Sequence, residues 1–492
     1  MRTDKELICF PIHAELSGTL HQRMERSWAR LHDGLTYERD KVFRPVDCAW
    51  PGDFEGRLLL GRILLSNLLN RESQDALWML ENYSCHANSD GYLGKVMVDE
   101  PNEQQLAGHG WLLRAFSEAQ LRYPELDLKP LVQKIFDHLL QPLKKFLPDY
   151  PLSVGDRTGH GAIEGSIDRK IGNWQVSTDV GCVFILFDGL VQAMHVFGIE
   201  CPELAKQMQT LAGRMEFSKV RAQTHASLTL ARGLIRYANE FNVPELWNQA
   251  QTIYDLYRER AMTENFANYN WFGRPEWTEP CAIIDSFIVA MALFRHTGEM
   301  HYLSDAHIIW FSAVERSQRN HGGFGGDNCV RAEELVLRMK FFEAPNCCTM
   351  RGAEAFFERG MHSIFRTGET LTLALPAAGR FMFEDGAEVE VISDYPMSPA
   401  WKVHILKKGR TPICRIRGFT VSEGWRESES SGDPYQVSER PALAPGFTTL
   451  WRGPVMQGMD EQGKVHSVNE TWQMERSKAE VFNLRLLFPE QK

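Results

Sequence analysis

From about residue 55 to 362 the apolar residues recur at intervals of three and four, the period of an α-helix. The pattern runs through "GRLLLGRILLSNLL", "NEQQLAGHGWLLRAFSEAQLRY", "LKPLVQKIFDHLLQPLKKFL", "VSTDVGCVFILFDGLVQAMHVFG", "HASLTLARGLIRYANEF", "CAIIDSFIVAMALFRHTG" and "RGAEAFFERGMHSIF". Gly and Pro punctuate the ends, as a helix boundary requires. Around a dozen helices in sequential hairpins fit a toroid of paired helices, although a bundle would read alike. After about residue 367 the period falls to two: "TLTLALPA", "AEVEVISDYP", "WKVHILKK", "ICRIRGFTV", "FTTLWRGPV" and "EVFNLRLLF" alternate and are rich in β-branched residues. These predict a β-sandwich, and "SEGWRESESSGDPYQVSERPALAPG" predicts a long loop within it. The early "KELICFPIHAEL" also alternates. The expected organisation is a strand-like segment at 1–20 packing on the β domain, an (α/α)6 toroid at 21–365, and an antiparallel, jelly-roll-like β-sandwich at 366–492.

A chain of 492 residues exceeds what one core usually organises, which agrees with two domains. Its 54 Lys+Arg against 64 Asp+Glu give a net charge of -10, with no basic run, so a nucleic-acid surface is not expected. The N-terminal "MRTDKELICFPIHAEL" lacks the apolar core of a signal peptide. No membrane span is expected either, and the expected location is the cytoplasm. Ten cysteines are too sparse for a disulfide framework, so Cys9, Cys48, Cys85, Cys182, Cys201, Cys329 and Cys414 are expected as buried small hydrophobes.

The remaining three cysteines are different. "FEAPNCCTM" sets Cys347 beside Cys348, a spacing at which an intrapair disulfide is strained. Upstream, "TENFANYNWFGRPEWTEPCAII" carries Glu264, Glu279 and Cys281. Glu279 and Cys281 are two apart, so an extended segment would point carboxylate and thiolate the same way. Three sulfurs and one carboxylate make a tetrahedral zinc set, which iron would also accept.

With a Glu 15 residues before the Glu-x-Cys and a double cysteine after it, the chain resembles the zinc-dependent β-L-arabinofuranosidases, retaining glycoside hydrolases with a cysteine nucleophile. "DGYLGKV", "EQQLAGHGWLLRA", "GHGAIEGSI" and "THASLTLARGLIRY" look like that family's helical segments, and "VEVISDYPMSPAWKVHI", "ICRIRGF" and "LWRGPV" like its β-sandwich. The resemblance implies a Zn2+ held by Glu279, Cys281, Cys347 and Cys348, with Cys347 as nucleophile and Glu264 as general acid/base. It implies sugar contacts from His109, His160 and His225, and an oligosaccharide or glycoconjugate substrate with a terminal β-L-arabinofuranoside-like sugar. A homodimer is left open.

The chain departs from that family where Thr349, Met350 and Arg351 follow the paired cysteines, in place of two prolines and an asparagine, and where Pro280 replaces a small polar residue. The Gly-rich "HGGFGGDNC" at 321–329 is expected as a tight turn beside the pocket. Two other classes fit less of the sequence: a metal-independent toroid enzyme such as an unsaturated uronyl hydrolase or sugar epimerase, and a glycan-binding protein with structural zinc.

Overall fold

The computed structural model describes residues 8–157, 165–274, 278–326, 343–421, 424–426, 436–437, 447–452, 454–460 and 464–467. Among them, twelve long helical segments alternate between an outer and an inner ring. The outer ones are α1 (Gly18–Leu31), α3 (Gln74–His86), α5 (Lys129–Ile135, running on to Leu143), α7 (Pro202–Arg214), α9 (Leu246–Arg260) and α11 (Met300–Ile309, running on to Ser317). The inner ones are α2 (Asp53–Leu68), α4 (Glu103–Arg122), α6 (Ile185–Phe197), α8 (Thr224–Glu240), α10 (Pro280–Thr297) and α12 (Cys348–Met361). Each inner helix packs on the next and α12 closes back on α2, so the ring is complete and the toroid is the observed architecture rather than an open bundle.

The inner helices are buried nearly all round, α10 because its sequence is largely apolar and the others because their buried charges pair across the ring, as Arg114 does with Glu354 at 2.9 Å. In α2 only Asn67 of sixteen residues escapes burial. Helix α10 is long and apolar enough to cross a membrane by composition alone, but 78% of it is buried inside the ring. Small residues let neighbours approach closely. A Cβ on Gly189 of α6 would lie 2.0 Å from the Gly110 carbonyl oxygen of α4, and one on Gly110 would lie 2.6 Å from the Ile185 carbonyl oxygen. We therefore expect Gly189→Ala to cost about 1–3 kcal/mol by overpacking, read as a drop in denaturation midpoint. An unchanged midpoint would show that α4 and α6 can part at no cost.

Strands β1 (Ile8–Cys9) and β2 (Pro11–Leu16) precede the toroid and join strands that follow it. Strand β1 pairs with β5 (Ile364–Thr367), whereas β2 pairs with β7 (Gly379–Phe383). A hairpin of β3 (Ile167–Ile171) and β4 (Trp174–Ser177) interrupts the stretch read from the sequence as helical. With β6 (Thr370–Leu373), β8 (Glu388–Ser393), β9 (Trp401–Lys407), β10 (Arg415–Thr420) and β11 (Gly424–Arg426), two sheets form in the orders β1-β5-β6-β10-β11 and β2-β7-β8-β9. Within this otherwise antiparallel arrangement, β6 and β10 are parallel. A third sheet runs β12 (Gln436–Val437), β13 (Phe447–Arg452), β14 (Val455–Asp460), β15 (Val465–Ser467). Thus β11 and β12 lie in the stretch expected as a loop, while "EVFNLRLLF" lies outside the described residues.

Helix α11 ties toroid to sandwich through His307, whose Nε2 lies 2.7 Å from the Ala374 carbonyl oxygen and whose Nδ1 lies 2.7 Å from the Tyr395 hydroxyl. The expected burial of the scattered cysteines fails at Cys9, Cys85 and Cys414, which are exposed on outer surfaces, and at half-buried Cys48; Cys182 and Cys201 are buried. Cys329 lies outside the described residues.

Candidate metal and catalytic site

The N-termini of the inner helices converge at one end of the ring, and the site is built there. Glu279 is the residue preceding α10, Pro280 its first and Cys281 its second; Cys347 precedes α12 and Cys348 begins it. Pro280 is suited to the first helical position, where its fixed φ helps and its missing N–H costs nothing. That accounts physically for one departure noted in the sequence. All four ligand atoms fall within 4.8 Å of one another. The Cys281 sulfur is 3.3 Å from that of Cys347 and 3.5 Å from that of Cys348; Cys347 is 3.9 Å from Cys348 and 3.8 Å from Glu279 Oε1. Donors on one tetrahedral zinc, with Zn–S near 2.3 Å, lie roughly 3.5–3.8 Å apart, so this donor set fits such an ion in both chemistry and spacing.

The three sulfurs are not equivalent. Cys347 is half-buried and lines a cavity of about 460 Å³, bounded also by Trp50, Asp53, Arg57, His225 and Glu279. Cys281 and Cys348 are buried behind it. Hydrogen bonds from the Cys281 and Cys348 thiols hold the Cys347 thiol well below its ordinary range, with the Arg57 charge adding to the effect, whereas burial pushes Cys281 up. Two helix N-termini add partial positive charge at the cluster, the usual setting of a stabilised thiolate.

Behind the cluster stands a buried ionic chain. Arg57 donates from Nε to both Asp53 carboxylate oxygens (2.9 Å each) and from Nη1 to the Cys281 sulfur at 3.4 Å, and it meets His225 Nε2 at 3.3 Å through Nη2. His225 Nδ1 lies 2.6 Å from Asp285 Oδ2. Burial lowers His225 to about 4, so near neutral pH its Nδ1–H donates to Asp285 and its Nε2 accepts from Arg57. Asp285 also binds Arg232 at 2.6 Å and Arg351. Trp111 roofs the chain, with the Arg57 and Arg351 guanidinium groups 4.5 and 4.3 Å from its ring centroid.

The departures after the paired cysteines thereby find uses. Thr349 Oγ1 accepts the Phe324 N–H at 3.0 Å and donates to Glu343 at 2.8 Å, and Arg351 reaches Asp285. The described part of the Gly-rich segment packs beside the site: a Cβ on Gly326 would lie 2.1 Å from the Thr278 carbonyl oxygen. Residues 327–329 of that segment are outside the described residues.

Glu264 is buried in a small hairpin in which Met262 bridges Asn268. Asn268 Oδ1 accepts the backbone N–H of Glu279 at 2.9 Å, which fastens this hairpin to a cluster residue. Glu264 itself is not among the cavity-lining residues. His225 lines the cavity. His109 does not: its Nε2 accepts the Leu93 N–H at 3.2 Å and its Nδ1 lies 2.7 Å from the Gln105 carbonyl oxygen. Both ring nitrogens are committed to backbone, which corrects the expected sugar contact and makes His109 a brace for the loop before α4. His160 lies outside the described residues.

Buried histidines also set an acid limit on stability. Burial lowers His109 and His225 to about 4 and His307 to about 3, so between those values and about 6.5 the unfolded chain binds protons that the folded chain refuses. Stability therefore rises with pH across that window, and we expect the thermal midpoint to fall steadily from pH 6.5 to 4. In His307→Phe the slope should be shallower; an equal slope would contradict the assignment.

No protein-family model matches the sequence, and no curated protein does. Solved structures do match. A structure titled a glycoside hydrolase superposes with TM-score 0.63 at 12% identity, over 92% of this chain and 83% of its own. A GH127 β-arabinofuranosidase gives TM-score 0.66 at 12% identity, over 93% and 86%. The chain has the fold of the GH127 β-L-arabinofuranosidases. A third structure, the GH127 β-L-arabinofuranosidase from Geobacillus stearothermophilus T6, gives 0.60 at 14% identity over 90% and 86%. The GH127-like fold thus spans toroid and sandwich together.

What the sequence reading missed around this site were Arg57, Asp53 and Asp285. A charged pair four apart in "DFEGRLLL", opening a leucine-rich helix, is the signal for the first two. Asp285 in "CAIIDSFIVA" was equally visible as a lone acid in an apolar helix.

Proposed function

We propose that this protein is a retaining glycoside hydrolase that removes a terminal β-L-arabinofuranoside-like sugar from an oligosaccharide or glycoconjugate. The observation that carries the reading is that, of three clustered thiols, only Cys347 opens onto the cavity. The GH127-like fold supports a carbohydrate substrate.

Zinc held by Glu279, Cys281, Cys347 and Cys348 would keep the sulfurs as thiolates and offset their mutual repulsion. In the first step the Cys347 sulfur attacks the anomeric carbon, forming a C–S bond as the glycosidic C–O bond breaks, while Glu264, which does not itself line the cavity, would pass its proton to the departing oxygen through a bridging water. In the second, Glu264 takes a proton from water, whose oxygen attacks the same carbon and releases the sulfur. Two inversions give net retention, the logic of paired carboxylates with sulfur in place of one. His225 lines the cavity, and since its Nε2 already accepts from Arg57, a sugar hydroxyl would be held there only by taking the place of that Arg57 N–H.

The test is hydrolysis of a panel of aryl furanosides and pyranosides, followed by NMR of the first-formed anomer. Hydrolysis with retention, abolished in Glu264→Gln for poor leaving groups and less so for activated ones, is expected. Inversion, or activity indifferent to Glu264, would overturn the roles of Cys347 and Glu264.

A further inference from the structure

The metal cluster and the residues behind it pose a problem of charge. A divalent ion with three thiolates and one carboxylate carries about two excess negative charges, and desolvating them is costly unless cations or hydrogen-bond donors answer them. Among the described residues, Arg57 presents a guanidinium nitrogen to a cluster sulfur, 3.4 Å from Cys281. Its fork is fixed on the other sides by Asp53 at 2.9 Å and by His225 Nε2 at 3.3 Å, and its face by Trp111. His225 is held in turn by Asp285 at 2.6 Å. The guanidinium is buried, and four independent contacts leave it little freedom to point elsewhere.

We infer that Arg57 is a positioning residue for the metal centre: it donates to the Cys281 sulfur, offsets part of the cluster's negative charge, and lowers the nucleophilicity of Cys281 while that sulfur stays a ligand. Cys347, which faces the cavity, is left as the reactive sulfur. The division of labour among three chemically identical side chains then follows from where one guanidinium points. The inference rests on the zinc reading of the cluster but not on which sugar is cleaved. A planar fork can serve Asp53, His225 and Cys281 at once, whereas an ammonium group cannot.

The experiment measures Zn2+ affinity by competition with a chromophoric chelator, and the cobalt–thiolate charge-transfer band after Co2+ loading, in the full chain. Parent, Arg57→Lys and the charge-neutral double variant Arg57→Met with Asp53→Asn are compared, each checked for folding by circular dichroism. Loss of such outer partners typically weakens metal binding about 10- to 100-fold. That loss, with a band moved to longer wavelength as the sulfur regains electron density, is expected in the double variant, and a smaller change in the same direction in Arg57→Lys. Either folded variant matching the parent in both affinity and band position would overturn the inference. A parent that takes up no metal would overturn it too; sugar hydrolysis by that metal-free parent would separate this failure from failure of the glycosidase reading.

Discussion

Replacing Cys347 by alanine should lower kcat for an activated aryl glycoside on the order of 10⁴-fold or more and weaken metal binding, because one side chain is both nucleophile and ligand, while leaving the helical signal close to the parent's. The large loss is expected because no neighbour can take over. Cys281 and Cys348 are within 3.9 Å of Cys347, yet both are buried and neither lines the cavity. The small structural cost is expected because Cys347 is half-buried and precedes α12, where no side-chain cap is lost. Cys348→Ala makes the informative contrast. It removes a ligand but leaves the cavity-facing sulfur, so it should weaken metal binding as Cys347→Ala does and cost less activity. If Cys347→Ala retained more than a few per cent of activity, sulfur would not be the nucleophile and the cluster would be structural.

Asp285→Ala should cost about 3–5 kcal/mol, the penalty of leaving buried cations without their anion. Asp285 is fully buried in α10 and answers Arg232 at 2.6 Å, Arg351, and His225 at 2.6 Å. Its charged form is strongly favoured: although burial opposes ionisation, Arg351, Arg232 and His225 hold the carboxyl well below the usual range. Glu354 binds the same two arginines and Asp188 lies 3.3 Å from Arg232, but both acids are already shared with Arg114 and cannot replace Asp285. Asp99, paired with Lys145 at 3.0 Å on an exposed surface, supplies the control, since its removal should shift stability by less than about 0.5 kcal/mol. The readout is the denaturant midpoint of helical ellipticity. Equal shifts in the two variants would mean that the buried chain is no more costly to break than a surface pair.

How much of this was visible in the sequence depends on the range over which each feature is determined. Helices α2, α4 and α10 declare themselves by apolar periodicity because burial is dictated along their own length. The early alternation of "KELICFPIHAEL" likewise gave strands, although its partners, β5 and β7, lie more than 350 residues on. The β6–β10 parallel pairing could not be read, because a run of alternating residues carries no information on the direction of its neighbour. At the site, Glu279, Cys281, Cys347 and Cys348 were legible as residue types that rarely gather without an ion, and the structure brings their ligand atoms together. His109 was misread because a histidine in a helical segment looks the same whether its nitrogens meet backbone or sugar; only the Leu93 and Gln105 contacts decide. Arg57 was overlooked since its importance lies in what it touches across the ring, not in its neighbours along the chain.

The most direct test of the metal-thiolate site is elemental analysis of the freshly purified, reduced protein beside its Cys281→Ala and Cys348→Ala variants. About one zinc per chain in the parent, diminished in both variants, is the expected result. A folded parent that hydrolyses glycosides while carrying no metal would contradict it, and would leave the four clustered residues as core packing beneath a catalytic site of another kind.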